Sequence, residues 1–240
     1  MSTFRILLAD DHPIFRLGLC SLLESHDGWK VCGQAIDGRD AVEKCMNLKP
    51  DLAILDICMP TLNGADAAAQ ILKDNPTQKI LILTDVDSEK VIRNCLEAGV
   101  RGWIFKSDGT DEVTRAVESL QRNNSSFSPR VSDLLMRGYL ERPHAGPTPA
   151  KVPRLSPRER EVLQLVAESK TSREVGVILN ISAKTAETHR SNLMTKLRLH
   201  SIAELVLYAV RNEIVHVQIP VINALAERGN GLATLARNLN

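Results

Sequence analysis

Carboxylate, hydroxyl and ammonium side chains follow successive apolar runs in the first half of the chain. They are Asp10 and Asp11 after FRILLA, Asp56 within LAILDI, Thr84 at the end of KILILT and Lys106 after GWIF. A single acid at the end of a strand is usually a loop cap or a solvated residue. Parallel strands, however, bring their carboxyl ends to one edge of a sheet, where ligand sites form. The five side chains are therefore predicted to form one cluster.

The chemistry that such a cluster favours is transfer of a phosphoryl group to a carboxylate. Three neighbouring carboxylates raise one another's pKa unless a cation lies among them. Mg²⁺ suits oxygen ligands of this kind and commonly pairs with phosphate. The hydroxyl of Thr84 and the ammonium of Lys106 would then bind the second anion. We predict that a carboxylate attacks phosphorus while cations neutralise the phosphoryl oxygens, and that Asp56, the single acid on the central strand, is the nucleophile.

The first half of the chain alternates short runs of branched apolar residues with amphipathic segments. This alternation predicts a parallel sheet covered by helices on both faces. Strand–helix units that repeat over about 120 residues fit the flavodoxin-like, doubly wound α/β arrangement. The predicted strands are 4–9, 31–36, 52–57, 79–84 and 102–105, and the predicted helices are 13–25, 38–48, 64–73, 87–97 and 110–121.

The character of the sequence changes after residue 122. Residues 123–153 are rich in Pro, Ser, Asn and Gly, which predicts a linker that could contain a short helix at 131–140. Residues 154–216 carry helix-capping signatures at Ser156–Glu159, Thr171–Glu174 and Ser201–Glu204. They predict a small all-α domain with helices at 157–168, 172–179, 183–197 and 202–212. No role is assigned to the tail, 217–240.

Two of these helices are joined by a tight turn, Asn180-Ile-Ser182. This is the geometry of a helix-turn-helix, whose second helix enters the major groove of DNA. A polar helix face alone is more often simply solvated, so the neighbouring helix is what favours DNA binding. The charge distribution agrees: residues 1–123 hold 14 basic and 19 acidic residues, a net of −5, whereas residues 151–213 hold 11 and 7, a net of +4. Only the second half is expected to meet a polyanion.

Residues 1–122 resemble the receiver domain of two-component response regulators. The resemblance rests on Asp10–Asp11, the run Asp56-Ile-Cys-Met-Pro-Thr-Leu-Asn-Gly64, Thr84, and Gly-Trp-Ile-Phe-Lys106. It implies that Asp56 accepts a phosphoryl group from a sensor histidine kinase. It also implies that Asp11, Asp56 and the backbone carbonyl of Cys58 bind Mg²⁺, with Asp10 acting partly through water. Thr84 and Trp103 would be a switch pair, and the ring of Trp103, larger than the usual Tyr or Phe, is expected to bury less readily.

Residues 155–197 resemble the LuxR-type helix-turn-helix, so the whole chain is similar to a NarL/FixJ-type response regulator. The match places the helix-turn-helix at 172–191. Matching positions imply base or near-base contacts from Lys184, Glu187, Thr188 and Ser191, and phosphate contacts from Thr185, Arg190 and Lys196. A net charge of +4 is modest, so a homodimer on paired half-sites is expected. In this family the last helix often makes the dimer contact, here through Val206, Tyr208 and Val210.

These observations predict a phosphorylation-switched, sequence-specific DNA-binding transcriptional regulator of promoters. In this hypothesis the unphosphorylated receiver covers or misorients the recognition helix. Two alternatives stay open: a DNA-binding regulator whose receiver is never phosphorylated, and a signalling adaptor that binds protein. An independent enzyme is not expected, because no nucleophile–base pair occurs outside the acidic cluster. The chain has no apolar run near the roughly 18 residues of a membrane span, and its cysteines lack CxxC spacing, so a cytoplasmic protein without membrane contact is expected.

Overall fold

The computed structural model describes residues 3–140 and 155–215; the predicted tail and the second part of the predicted linker lie outside this range. In the described first half, all strands are parallel and form one sheet in the order β2-β1-β3-β4-β5-β6. The strands are β1 (Phe4–Ala9), β2 (Trp29–Ala35), β3 (Leu52–Leu55), β4 (Lys79–Thr84), β5 (Gly102–Phe105) and β6 (Ser126–Phe127). This architecture confirms the prediction of a doubly wound, flavodoxin-like fold.

Helices cover both faces of the sheet, as the near-continuous apolar character of the central strands requires. One face packs on α1 (Pro13–Glu24) and α5 (Thr110–Gln121), and the other packs on α2 (Gly38–Leu48), α3 (Gly64–Asp74) and α4 (Glu89–Ala98). All four residues of β3 are buried. A short 3-10 helix at Lys106–Asp108 follows β5 directly.

The beginning of the predicted linker is structured. β6 adds a sixth strand beside β5, and α6 (Pro129–Leu140) follows it. Val131 is fully buried in the same core as α4, and Arg130 forms an ion pair with Asp87 and lies over the Phe105 ring. The linker prediction did not include this pairing, because a strand of two residues leaves no alternating pattern.

The second half folds into four helices within the described residues: α7 (Pro157–Ala167), α8 (Ser172–Leu179), α9 (Ala183–Leu197) and α10 (Ile202–Arg211). Each begins where a cap is expected, and Ser156 and Thr171 form complete capping boxes with Glu159 and Glu174. Their apolar sides enclose a separate core that includes Leu163, Leu193 and Leu205. The small all-α domain is thereby confirmed. Among the described residues, no helix is long and apolar enough to cross a membrane.

Candidate phosphoryl-transfer site and DNA-binding surface

The predicted acidic cluster forms at the carboxyl edge of the sheet. β1 leads into Asp10 and Asp11, and β3 leads into Asp56. Because β1 and β3 pair in parallel, these acids lie at the same edge of the sheet. Single ligand atoms of Asp10, Asp11, His12 and Asp56 all lie within 4.8 Å of one another. Asp10 and Asp56 are each 2% exposed, and carboxylates are seldom buried so completely unless they are paired with other groups. The sequence did not point to His12, which joins the cluster through its position after the acidic pair.

Lys106 neutralises part of this buried charge. Its Nζ lies 2.8 Å from Oδ2 of Asp10 and 2.8 Å from Oδ2 of Asp56. Burial acts to lower the pKa of Lys106, but the carboxylates of Asp56 and Asp10 outweigh it and leave the pKa above its ordinary value. The ammonium therefore stays charged at neutral pH and holds one oxygen of Asp56 in place.

The remaining oxygens of the cluster fit a cation. Oδ1 of Asp56 is buried and receives no hydrogen bond. Oδ1 of Asp11 lies 2.9 Å from Nδ1 of His12 but in no geometry suited to a hydrogen bond. Burial raises the pKa of Asp11, and the charges of Asp56 and Asp10 raise it further while His12 opposes them. Buried carboxylate oxygens that receive no hydrogen bond suit a hard divalent ion, so the cluster could hold a metal.

Thr84 and Trp103 stand on neighbouring strands next to the cluster. Ile82 pairs with Trp103 and Thr84 pairs with Phe105, so Thr84 and Trp103 project from the same face. The Thr84 hydroxyl accepts a hydrogen bond from the Val86 amide at 3.3 Å. The Trp103 ring is fully buried, and its N–H has no partner. The expectation that the larger ring would bury less readily is therefore wrong in this structure.

The predicted DNA-contacting positions lie on α9, the second helix of the confirmed α8–turn–α9 unit. Asn180 takes the left-handed conformation that ends α8, and Ser182 caps α9. Lys184, Thr185, Glu187, Thr188, Ser191 and Lys196 are exposed, and Arg190 is half-buried. The Lys196 ammonium lies 2.7 Å from Oε2 of Glu159, so a phosphate contact would have to displace that carboxylate.

The receiver does not cover this helix. Within the described ranges, no hydrogen bond or ion pair joins α9 to the first half of the chain. In this arrangement the recognition helix is not covered, and the other part of the hypothesis, that the unphosphorylated receiver misorients the helix, stays a prediction. The contacts to the receiver are made instead by α7 and by the residues that follow α10.

The side of α7 that faces the receiver binds the loop between β3 and α3. Gln164 donates to the Met59 carbonyl at 3.1 Å and accepts from the Asn63 amide at 2.8 Å. Both oxygens of Glu168 accept from the Thr61 amide, at 3.1 and 3.2 Å. Gln164 and Glu168 border a cavity of about 340 Å³ that is also lined by Asp11, Cys58 and Lys170. The cavity thus joins the acidic cluster to the second domain.

Two ion pairs and a hydrogen bond from the segment after α10 also join the two domains. Arg160 pairs with Asp66 at 2.8 Å, and Arg39 lies 3.3 Å from Glu161. After α10, Glu213 accepts a hydrogen bond from the Ser88 hydroxyl at 2.7 Å. The domains therefore meet at the first turns of α2 and α3 and at the two loops that flank the acidic cluster, β3–α3 and β4–α4.

Sequence reasoning missed Gln164 and its partners. The available signal was the run Glu161–Val166, in which apolar residues fall on more than one side of the helix. In the structure every residue of this run is buried. A helix that is apolar all round has neighbours on two sides.

Two family profiles match the chain: the response regulator receiver domain at residues 6–118, and the bacterial regulatory proteins of the luxR family at residues 153–209. The chain is also 32% identical over 213 residues to the response regulator protein VraR of Staphylococcus aureus, which covers 89% of this chain and 99% of VraR. The chain belongs to the LuxR-family response regulators. Members of this family are DNA-binding regulators, which confirms that the chain is not an independent enzyme.

Solved structures of LuxR-family response regulators share the fold. One from Aurantimonas sp. SI85-9A1 has 30% identity and a TM-score of 0.56, and covers 58% of this chain and 100% of its own. RcsB from Salmonella typhimurium has 28% identity and a TM-score of 0.54, covering 88% and 100%. A complex of RcsB with DNA has 26% identity and a TM-score of 0.53, covering 86% and 98%.

Proposed function

We propose that a sensor histidine kinase phosphorylates Asp56 and that this phosphorylation controls the binding of promoter DNA by α8 and α9. The state of the two Asp56 oxygens carries the proposal. Oδ2 is held by Lys106, whereas Oδ1 is buried, receives no hydrogen bond and lies within the acidic cluster. An oriented carboxylate with one unengaged oxygen is suited to nucleophilic attack.

In the proposed reaction, Oδ1 of Asp56 forms a bond to phosphorus while the P–N bond of the phosphohistidine breaks. The leaving imidazole nitrogen keeps the electron pair of that bond. Lys106 neutralises charge on the transferred oxygens, and Thr84 donates its hydroxyl to one of them, while Trp103 repacks with Thr84. Asp11, Asp56 and the Cys58 carbonyl would hold Mg²⁺, with Asp10 contributing partly through water. When bound, this ion stabilises the charge that develops on the phosphoryl oxygens.

The test is incorporation of phosphate from phosphoramidate, a small donor that needs no kinase. The full-length protein should gain one phosphoryl group by intact mass in the presence of Mg²⁺. Asp56→Asn should gain none, and Asp74→Asn, which changes an exposed acid at the end of α3, should behave as the wild type. Equal labelling of Asp56→Asn and wild type would exclude Asp56 as the acceptor.

The DNA part of the proposal rests on the exposure of α9. Lys184, Glu187, Thr188 and Ser191 would meet base edges, and Thr185, Arg190 and Lys196 would meet phosphates. On α10, Ile202 and Leu207 are exposed, and Val206 and Val210 are half-buried outside the domain core, whereas Tyr208 packs against that core. This apolar stripe is the proposed homodimer contact. Leu207→Asp should abolish dimeric DNA complexes in sedimentation, and unchanged dimers would exclude the stripe.

We propose the domain division 1–122 for the receiver, 123–153 for the linker, 154–216 for the DNA-binding domain and 217–240 for a tail. The family profiles end close to these bounds, although β6 and α6 add to the receiver sheet from within the linker. Promoter binding and phosphorylation by the kinase would both take place in the cytoplasm.

A further inference from the structure

The loop between β3 and α3 is supported from outside its own domain. Three backbone groups of residues 59–63 are bound by α7 and the residue that caps its end: Gln164 binds the Met59 carbonyl and the Asn63 amide, and the capping residue Glu168 binds the Thr61 amide. Gln164 is 2% exposed and also donates to Glu168 at 2.8 Å, so the two side chains act as one unit. A helix of the DNA-binding domain therefore fixes a receiver loop that begins at the proposed phosphorylation site.

The conformation of this loop requires such support. Thr61 has φ of +61°, a left-handed conformation that is unfavourable for a β-branched residue. Strained residues keep their conformation only where surrounding contacts hold them. The contact that holds Thr61 is the pair of hydrogen bonds from its amide to Glu168.

The same loop carries a ligand-competent carbonyl. Among the described residues, no group donates a hydrogen bond to the Cys58 carbonyl, whereas its neighbours Ile57 and Met59 both have their carbonyls bound. Cys58 lines the interdomain cavity together with Asp11. Movement of residues 59–61 would therefore move the carbonyl of a residue that lines the same cavity as Asp11.

We propose that Gln164 is a positioning residue for the receiver's metal site, supplied by the DNA-binding domain. By fixing the β3–α3 loop, Gln164 sets the position of the Cys58 carbonyl, so domain docking and Mg²⁺ binding favour each other. Thermodynamic linkage requires the effect to be reciprocal. This inference rests on the proposed phosphoryl-transfer function and its metal.

The experiment measures Mg²⁺ affinity of the full-length protein by calorimetry. Gln164→Met keeps the side-chain volume but removes the hydrogen bonds of the side chain. We expect this variant to bind Mg²⁺ about tenfold more weakly, which is the lower end of the range for residues that position metal ligands. Arg173→Ala, which changes an exposed side chain on α8, is the control and should leave the affinity unchanged. Reciprocally, Mg²⁺ should slow hydrogen–deuterium exchange of residues 157–168 in the wild type.

A double-mutant cycle separates positioning from a general loss of structure. Thr61→Gly removes the strain at this position, so the loop needs less support. In the Thr61→Gly background, Gln164→Met should therefore cost less Mg²⁺ affinity than in the wild type. If Gln164→Met does not fold, Gln164→Glu, which keeps the acceptor for Asn63 but loses the donor to Met59, takes its place.

The outcomes are distinct. Wild-type Mg²⁺ affinity in a folded Gln164→Met protein would overturn the positioning role while leaving the proposed phosphorylation intact, since labelling from phosphoramidate is measured separately. Equal losses in both backgrounds of the cycle would also overturn it. Absence of Mg²⁺ binding by the wild type would overturn both the inference and the proposed metal site.

Discussion

The Lys106 ammonium lies 2.8 Å from Oδ2 of Asp56, and the same nitrogen lies 2.8 Å from Oδ2 of Asp10. One buried cation thus holds an acid from β1 and an acid from β3 at the edge of the sheet. Its loss would leave two almost completely buried carboxylates without their counter-charge.

Lys106→Met should slow phosphoryl incorporation from phosphoramidate about 100-fold, because one charged donor to the transferred group is lost. Labelling followed over time by intact mass gives the rate. Lys73→Met, which changes an exposed lysine in the last turn of α3, should leave that rate unchanged. A wild-type rate in Lys106→Met would show that Lys106 does not act on the transferred group.

Gly64 allows α3 to start against the proposed phosphorylation site. A Cβ at this position would lie 1.8 Å from the Asp56 carbonyl oxygen, a backbone atom that has no side-chain freedom. Gly64→Ala should therefore lower the free energy of unfolding by about 3 kcal/mol, the upper part of the range for overpacking. Urea unfolding measures this change.

The matched control for Gly64 is Gly18, on the exposed side of α1. A Cβ there meets nothing within 4 Å, so Gly18→Ala should be neutral or should stabilise the protein by up to about 1 kcal/mol through helix propensity. Equal stability of the two variants would contradict the close approach of Gly64 to the loop.

Arg190 and Lys196 should differ in DNA binding, although both were predicted to contact phosphates. Arg190→Ala should reduce affinity for all sequences alike and lower the slope of log affinity against log salt by about one. Lys196→Ala should lower the slope less, because in the free protein its ammonium is bound by Glu159 at 2.7 and 2.9 Å, whereas Arg190 lies at the longer distance of 3.5 Å from Glu187. Fluorescence anisotropy over a salt series makes the comparison. Equal slopes for the two variants would show that the Lys196–Glu159 pair opens freely on DNA.

Glu168 should make domain docking depend on pH. Burial raises the pKa of Glu168, while hydrogen bonds from Gln164 and Thr61 and the charge of Lys170 oppose this shift and Asp37 adds to it. The docked carboxyl therefore holds its proton more tightly than the undocked one. Docking is favoured below the ordinary pKa of a glutamate, 4.5, and this contribution is lost as pH rises through the higher docked pKa.

Small-angle scattering of the full-length protein measures this effect as a more compact particle at the acidic end of the range. Glu168→Gln, which stays neutral and can keep the contact with the Thr61 amide, should be compact across the range. The same pH response in Glu168→Gln and wild type would assign it to other groups.

The fold and the acidic cluster could be predicted because local patterns encode them. Strands β1 and β3 are followed directly by acids of the site and β4 ends on Thr84, and parallel pairing then brings Asp10, Asp56 and Thr84 to one edge. Lys106 follows from the same logic. The cluster itself needed no long-range information beyond the order of the strands, whereas the membership of His12 was not predicted.

The docking of the two domains could not be predicted in this way. Gln164, Asn63 and Asp66 are polar residues that a helical pattern assigns to solvated faces. Their partners lie about a hundred positions away in the chain, and a hydrogen bond between a side chain and a distant backbone amide leaves no periodic signal. Strand β6 was not predicted either, because two residues are too few to show an alternating pattern.

The open face of α9 bears on how quickly such a regulator can respond. A protein whose groove-reading side chains stay accessible while its domains are docked can sample the chromosome before any stimulus arrives. Its search for the promoter would then be finished in advance, and the delay after a signal would be set by pairing with a second copy on the DNA. Such a regulator would occupy its target sites at a low level in unstimulated cells.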